Sequence, residues 1–313
     1  MKTAQTRFRA VALLGLIAAI AQVTLGGIVR VTGSGDACPD WPLCHGQLIP
    51  PLDYHTMLEY SHRLSATVVG LLVVIALYLA WRHYRGSSPA VISTSAGTIL
   101  VIAAAILGGL TVLSELTWWV RLIHLGLAEL VVASMAVAWL SGGPAGEDSS
   151  EQVIERPRIR FDRTLMWATI VGVMVMILYG SYIVGAGYGS SCGSWPLCQG
   201  WGIPRGIAFE AHMGHRYFAV ILFALVAGMG HVAWRRGAVD GELRWLTVLT
   251  GGFLVAEILV GAFTVWLGFT AAMKSLHLTV ATLMWASAVL LAAVYLRPDR
   301  FRVPSWRVES VAS

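Results

Sequence analysis

The 313-residue chain is 57% hydrophobic and 12% charged, with a mean hydropathy of +0.69, which excludes an ordinary soluble domain. Its formal net charge of +5 comes from Lys and Arg residues that collect between apolar segments. This charge therefore indicates membrane topology and gives no reason to expect nucleic-acid binding.

Eight apolar segments are long enough to cross a hydrocarbon core, which takes about 20 helical residues. In chain order they are residues 11–31, 60–81, 91–113, 120–140, 164–187, 212–234, 245–267 and 274–296. The first follows basic residues, as in a signal peptide, but it is too long for a typical signal core and lacks a convincing cleavage site. We therefore expect all eight to span the membrane as helices, because helices satisfy their own backbone in lipid.

Basic residues predict the orientation of these spans. Most lie at the N-terminus, after the second and sixth spans, in the central linker and in the tail, so we expect these regions and both termini in the cytoplasm. Without an Arg- and Ser-rich transit peptide, a bacterial plasma membrane is favoured over an organelle. Six cations remain for the outer side: Arg30, Arg63, Arg121, Arg205, Arg216 and Lys274.

The two halves of the chain repeat each other at an offset of 153 or 154 residues, most clearly where CPDWPLC at 38–44 returns as CGSWPLC at 192–198. The repeat predicts two tandem, pseudo-symmetric four-helix bundles in residues 1–140 and 164–313, joined by a cytoplasmic linker at 141–163. An even number of spans in each half gives both halves the same orientation, as in a parallel repeat.

Both cysteine loops fall on the predicted outer side, where thiols meet an oxidising compartment. We expect two disulfides that brace these loops, Cys38–Cys44 and Cys192–Cys198. Free buried thiols and a metal site are the alternatives.

Four histidines stand at matched depth near the outer starts of alternate spans: His62, His124, His215 and His277. Ionisable groups inside a membrane are costly and usually functional. Each half thus offers two imidazoles from facing helices, which is how four-helix bundles bind cofactors. Zinc prefers more than two nitrogen ligands and often takes carboxylate or thiolate ligands as well. Two histidines that face each other across an apolar bundle therefore indicate axial ligands of a haem iron.

Four of the outer cations lie beside these histidines. Arg63 and Arg216 follow His62 and His215 directly, and Arg121 and Lys274 precede His124 and His277 by three residues. We expect them to neutralise the propionates of bound haems, although snorkelling at a helix end explains each one singly.

One carboxylate breaks the symmetry between the halves. Glu59 stands one helical turn before His62, where the second half has His212. A carboxylate beside a haem can act as a general acid or base, or stabilise a carbocation-like intermediate. Stabilisation of a helix start is the alternative. Glu129 and Glu257 are further candidates for a functional carboxylate.

Two segments, residues 27–38 (GIVRVTGSGDAC) and 59–63 (EYSHR), together with the paired histidines, resemble the haem A synthase family over nearly the whole chain. The resemblance implies oxidation of the C8 methyl of haem O, through an alcohol, to the formyl group of haem A. It also assigns catalytic Glu59 and the substrate haem O, with His62 and His124, to the N-terminal half, and a permanent haem b, held by His215 and His277, to the C-terminal half.

Haem O and membrane lipid are the expected ligands, and the candidate partners are a haem O synthase, an electron donor or acceptor and a thiol–disulfide protein. Two other functions stay open. A dihaem b-type electron-transfer cytochrome would use the same histidines to hold two haems without converting a substrate. Such proteins usually have one haem near each membrane face, whereas all four histidines here lie toward the outer side. A transporter would use the parallel repeat, but few residues within the spans suggest a polar path.

Overall fold

The computed structural model describes residues 2–84, 88–142, 160–198, 205–236 and 241–296. Apart from one isolated β-bridge between Cys44 and Gln47, the regular secondary structure of these residues is α-helical. The helices are α1 Lys2–Val31, α2 Tyr54–His83, α3 Ser88–Leu113, α4 Trp118–Ser141, α5 Arg160–Gly185, α6 Ile207–Arg236, α7 Gly241–Trp266 and α8 Ala271–Leu296. All eight are long and apolar enough to cross a membrane, which confirms the predicted all-α, multi-pass membrane fold.

The helices match the predicted spans in number and order, but several are longer. Helix α2 begins at Tyr54, six residues before the predicted span, because the Asp53 side chain caps it by accepting a hydrogen bond from the Thr56 amide at 3.1 Å. Helix α1 begins at Lys2 and so includes the basic residues that a hydropathy count leaves out. Most of the predicted linker, residues 141–163, lies outside the described residues.

Each helix packs on its neighbours within its own half. In residues 2–142, α1 and α3 both pack against α2 and α4, and in residues 160–296, α5 and α7 both pack against α6 and α8. The halves meet through the pairs α1–α8, α4–α5 and α4–α8. Helix α8 therefore lies at the centre of the molecule, where nearly all of its side chains from Val280 to Tyr295 are buried.

A buried polar contact joins α4 to α8. The Thr282 hydroxyl donates to Glu129 Oε1 at 2.7 Å, and the Trp285 indole donates to the Glu129 carbonyl at 2.8 Å. Glu129 is 0% exposed, and its second carboxyl oxygen has no partner among the described residues. Residues 129 and 282 are 153 positions apart, so equivalent positions of the two repeats contact each other.

Replacing Thr282 by Val should destabilise the protein, because it leaves the buried Glu129 carboxyl without a side-chain donor. We expect a loss of about 1–2 kcal/mol in the free energy of unfolding, measured in detergent. The matched control is Thr98→Val, which removes only a hydroxyl bonded to the Thr94 carbonyl of its own helix. Equal losses for the two variants would contradict a special role for the Glu129 contact.

Candidate functional site

Each of the four intramembrane histidines packs its ring against a glycine of the preceding helix. The pairs are His62 on Gly26, His124 on Gly108, His215 on Gly180 and His277 on Gly261. A Cβ atom added to Gly26 would lie 2.8 Å from the nearest ring atom, and at the other three glycines the distance would be 3.2 to 3.3 Å. Glycine is therefore the side chain that lets these rings lie against helix backbone.

Each ring points its Cε1 atom at the supporting glycine. The Nδ1 atoms of His124 and His215 are buried without a hydrogen-bond partner among the described residues, yet each histidine as a whole is only half-buried. A neutral imidazole held in this way offers a nitrogen to a ligand between the helices.

The spacing of His215 and His277 fits two ligands of one metal ion. Their ring centres are 6.5 Å apart, and the ring planes are inclined at 73°. Two imidazoles on opposite sides of one metal ion, each bound at about 2.0 Å, hold their ring centres roughly 6 Å apart. In the other half, His62 and His124 are held against Gly26 and Gly108 in the same way as His215 and His277 against their glycines. The structure therefore brings His215 and His277 together and gives His62 and His124 matching supports.

Two polar side chains that steady these histidines differ between the halves. The Gln22 side-chain amide lies 3.0 Å from His62 Nδ1 and donates to the His62 carbonyl at 2.9 Å. In the second half, Glu257 Oε1 lies 3.1 Å from His277 Nδ1, at the distance of an ion pair but without hydrogen-bond alignment. When one ring nitrogen of a histidine binds a metal ion, a carboxylate beside the other ring nitrogen commonly orients the ring.

Both predicted disulfides are present, Cys38–Cys44 and Cys192–Cys198. Each loop is held by the arginine that follows a histidine. Arg63 donates to the carbonyls of Cys38, Asp40 and Leu43, and Arg216 donates to those of Cys192, Ser194 and Pro196. Because their terminal nitrogens already bind the loops, the role of these two arginines toward propionates stays a prediction.

The other two predicted cations lie at the starts of helices. Arg121 is in the first turn of α4, and its Nε atom is buried without a partner among the described residues. Lys274 is in the first turn of α8, half-buried and three residues before His277. Their role toward a bound anion stays a prediction.

The Glu59 side chain lies under the first disulfide loop and is only 3% exposed. Its Oε2 accepts a hydrogen bond from the Cys38 amide at 2.8 Å, and its Oε1 accepts one from Arg63 at 2.5 Å. Its counterpart His212 is also buried, against the ring of Phe269, with Nδ1 unpaired within the described part of the chain. The difference between carboxylate and imidazole therefore lies directly beneath the two disulfide loops.

Asp40 fixes the shape of the first loop. Its carboxylate accepts hydrogen bonds from the amides of Gly46 at 2.8 Å and His45 at 2.6 Å. These bonds, the one from Gly46 above all, lower the pKa of Asp40 below its usual value. The loop bonds to this carboxylate are therefore lost only in acid, as the pH falls through this lowered pKa.

The donor set fits a haem iron better than a protein-only metal site. Within the described ranges, no group of three or more His, Cys, Asp or Glu side chains could hold a metal ion. A structural zinc site needs four such ligands, whereas an iron porphyrin supplies four nitrogens itself and needs only axial ligands. The buried Nδ1 atoms and the glycine supports fit two axial imidazoles.

The fold and the site thus define a multi-pass membrane protein with paired intramembrane histidines in each half. The sequence profile of the COX15-CtaA family, described as cytochrome oxidase assembly protein, matches residues 9–56 and 52–289. The chain belongs to this family.

Proteins named heme A synthase are similar to this chain along most of their length. That of Alkalihalophilus pseudofirmus is 24% identical over 277 residues, which cover 88% of this chain and 92% of the relative. That of Exiguobacterium sibiricum is 28% identical over 263 residues, covering 81% and 83%. That of Bacillus mycoides is 25% identical over 260 residues, covering 82% and 83%.

Replacing Gly26 by Ala should weaken haem binding through His62, because the new Cβ would lie 2.8 Å from the ring. Overpacking of this kind costs about 1–3 kcal/mol, which corresponds to a roughly 5- to 150-fold loss of affinity. Gly180→Ala, with a 3.2 Å approach to His215, should have a smaller effect. The measurement is haem bound per purified chain.

Gly70→Ala is the matched control, since no atom lies within 4 Å of a Cβ added there. If Gly26→Ala retained as much haem as Gly70→Ala, the glycine supports would not govern haem binding.

Proposed function

We propose that this chain is a haem A synthase, a membrane oxidoreductase that converts the C8 methyl group of haem O to the formyl group of haem A. Membership of the COX15-CtaA family and similarity to proteins named heme A synthase support this function. The observation that carries it is the pairing of His215 with His277, whose ring centres are 6.5 Å apart, together with the matching glycine supports of His62 and His124.

The two halves take different haems. His62 and His124 hold the substrate haem O in the N-terminal bundle, residues 1–140, and His215 and His277 hold a resident haem b in the C-terminal bundle, residues 164–313. The helix contacts within residues 2–142 and within residues 160–296 support a division into two four-helix bundles. The half-specific side chains Gln22, Glu59, His212 and Glu257 support different tasks for the two sites.

When bound, haem b would supply one-electron redox chemistry at its iron. The side chains of this chain position the reactants. The histidines hold each porphyrin between apolar helices that exclude water. Arg121 and Lys274 lie one helical turn further toward the outer side than His124 and His277, and they neutralise the propionates. Arg63 and Arg216 contribute any N–H groups that do not bind the loops.

Glu59 acts on the substrate methyl group. Oxidising a methyl group to an alcohol, with the oxygen atom taken from water, and then the alcohol to an aldehyde removes two electrons and releases two protons in each step. The electrons pass to the external electron acceptor. A fixed carboxylate one turn from His62 stabilises the positive charge that develops at this carbon and accepts a proton. An ionised carboxylate has about four acceptor positions, so the Cys38 amide and Arg63 leave capacity for this role.

The enzyme lies in a bacterial plasma membrane with both termini in the cytoplasm and the disulfide loops and haem sites toward the outer face. Basic residues at the ends of α2 and α6 support this orientation, namely Arg82, His83, Arg235 and Arg236. The two disulfides support an oxidising environment for the loops. Haem O synthase, an electron partner and a thiol–disulfide protein are the expected partners.

Coexpression with a source of haem O, followed by pigment analysis of the purified protein, tests the function. We expect haem b together with haem O or its oxidised products, because the two sites take different haems. Two stable haem b sites and no conversion would instead favour the electron-transfer cytochrome. A protein without haem would favour a carrier.

Replacing Glu59 by Gln should slow conversion of haem O about a hundredfold or more, the usual contribution of an acid–base group, while both haems stay bound. The matched control is Glu210→Gln, which changes an exposed glutamate at the start of α6. Conversion and haem content are measured on the same samples. Full activity of Glu59→Gln would contradict the catalytic role.

Replacing His215 by Ala should deplete haem b and leave haem O binding in the N-terminal half, because each half holds its own haem. The two haems are separated and quantified by chromatography after extraction. Loss of both haems in a folded protein, or retention of haem b, would contradict the assignment of sites.

A further inference from the structure

The first outer loop, residues 32–53, is fastened to the helix that bears His62. The Cys38 amide donates to Glu59 at 2.8 Å, and Arg63 donates to the Cys38 carbonyl at 2.9 Å. Glu59 and Arg63 flank His62 on α2. One end of the disulfide ring is therefore fixed beside the first ligand of the N-terminal site.

The same ring reaches helix α3 through Trp41. The Trp41 indole lies flat against Gly109, where an added Cβ would stand 2.9 Å from Cδ2, 3.1 Å from Cε2 and 3.2 Å from Cε3. The preceding residue, Gly108, supports His124. The loop therefore contacts both the helix that bears His62 and the glycine pair beside His124.

The second half differs at the equivalent position. Its position equivalent to Gly109 is Ala262, which is 1% exposed. Trp195, the counterpart of Trp41, instead packs edge-to-face on Trp266, with ring centres 5.5 Å apart. In the described structure, docking of the loop tryptophan on a glycine is thus a feature of the N-terminal half, which our proposed function assigns to the exchangeable haem.

The Trp41 contact suits an attachment that opens. One face of the indole lies on α3, and the side chain as a whole remains 45% exposed. The Cys38–Cys44 disulfide closes a short ring that includes Trp41, so the two attachments of the loop are joined covalently. Release of Trp41 would free the α3 side of the loop while the α2 side stays bonded.

We propose that residues 32–53 form a lid over the substrate haem, and that Trp41 docked on Gly109 holds it closed. Trp41 is a positioning residue for the bound haem O: its release precedes entry of haem O and departure of haem A. This inference rests on the proposed assignment of haem O to the N-terminal half.

The test compares Trp41→Ala and Gly109→Leu with Trp195→Ala, which removes the counterpart in the other half. Each protein is loaded with haem O, and its release to excess apomyoglobin is followed optically. Loss of the docked ring should speed release about tenfold or more, equivalent to 1.4 kcal/mol. The resident haem b should be retained equally in all variants, which also reports that they fold.

Hydrogen exchange of the amides in residues 36–47 provides a readout that needs no activity. We expect faster exchange in Trp41→Ala and Gly109→Leu than in Trp195→Ala. Unchanged haem O release or unchanged exchange in the first two variants would overturn the lid. Failure of the wild-type protein to take up haem O would overturn the proposed function as well, so the wild type separates the two failures.

Discussion

The contact of an imidazole ring with bare helix backbone, repeated four times, is the feature on which the structure of the site depends. A polar ring between membrane helices needs space close to a neighbouring backbone, and glycine provides this space at Gly26, Gly108, Gly180 and Gly261. In an apolar interior, a buried nitrogen without a partner is costly. Three of the four rings bury Nδ1 without a hydrogen bond in the described structure, so their burial carries a cost that a bound group would have to offset.

The repeat explains the fold, and the departures from it explain the function. Glu129 and Thr282 occupy equivalent positions and bind each other where α4 meets α8, so the two halves meet through the same pair of positions. Arg63 and Arg216, which follow His62 and His215, hold a disulfide loop in the same manner. Against this common background, Glu59 and Trp41 distinguish the N-terminal site, while Glu257 distinguishes the C-terminal one.

Much of this architecture could be predicted from the sequence. Hydropathy predicted eight spans, and the repeated cysteine spacing predicted both disulfides, because each signal is local. Helix starts were less accurate, since α1 continues through charged residues that reach water at a membrane surface. The four histidines were found by their matched depth in the repeat.

Contacts between helices could not be predicted in the same way. Gln22 lies 40 residues from His62, and no local pattern connects them. The sequence does contain a signal for the supporting role of Gly108 and Gly261, because both are glycines at equivalent positions of the repeat. The sequence contains no signal for the loop contacts of Arg63 and Arg216, because the acceptors are backbone carbonyl groups, which every residue type has.

The central claim is that one pair of histidines in each half binds one haem iron. Electron paramagnetic resonance of the oxidised protein, loaded with haem b and haem O, tests it most directly. The account predicts low-spin ferric signals from two haems, each with two imidazole ligands, and selective loss of one of these signals when either His124 or His277 is replaced. High-spin iron in the intact protein, or one signal that survives loss of both residues of a pair, would contradict it.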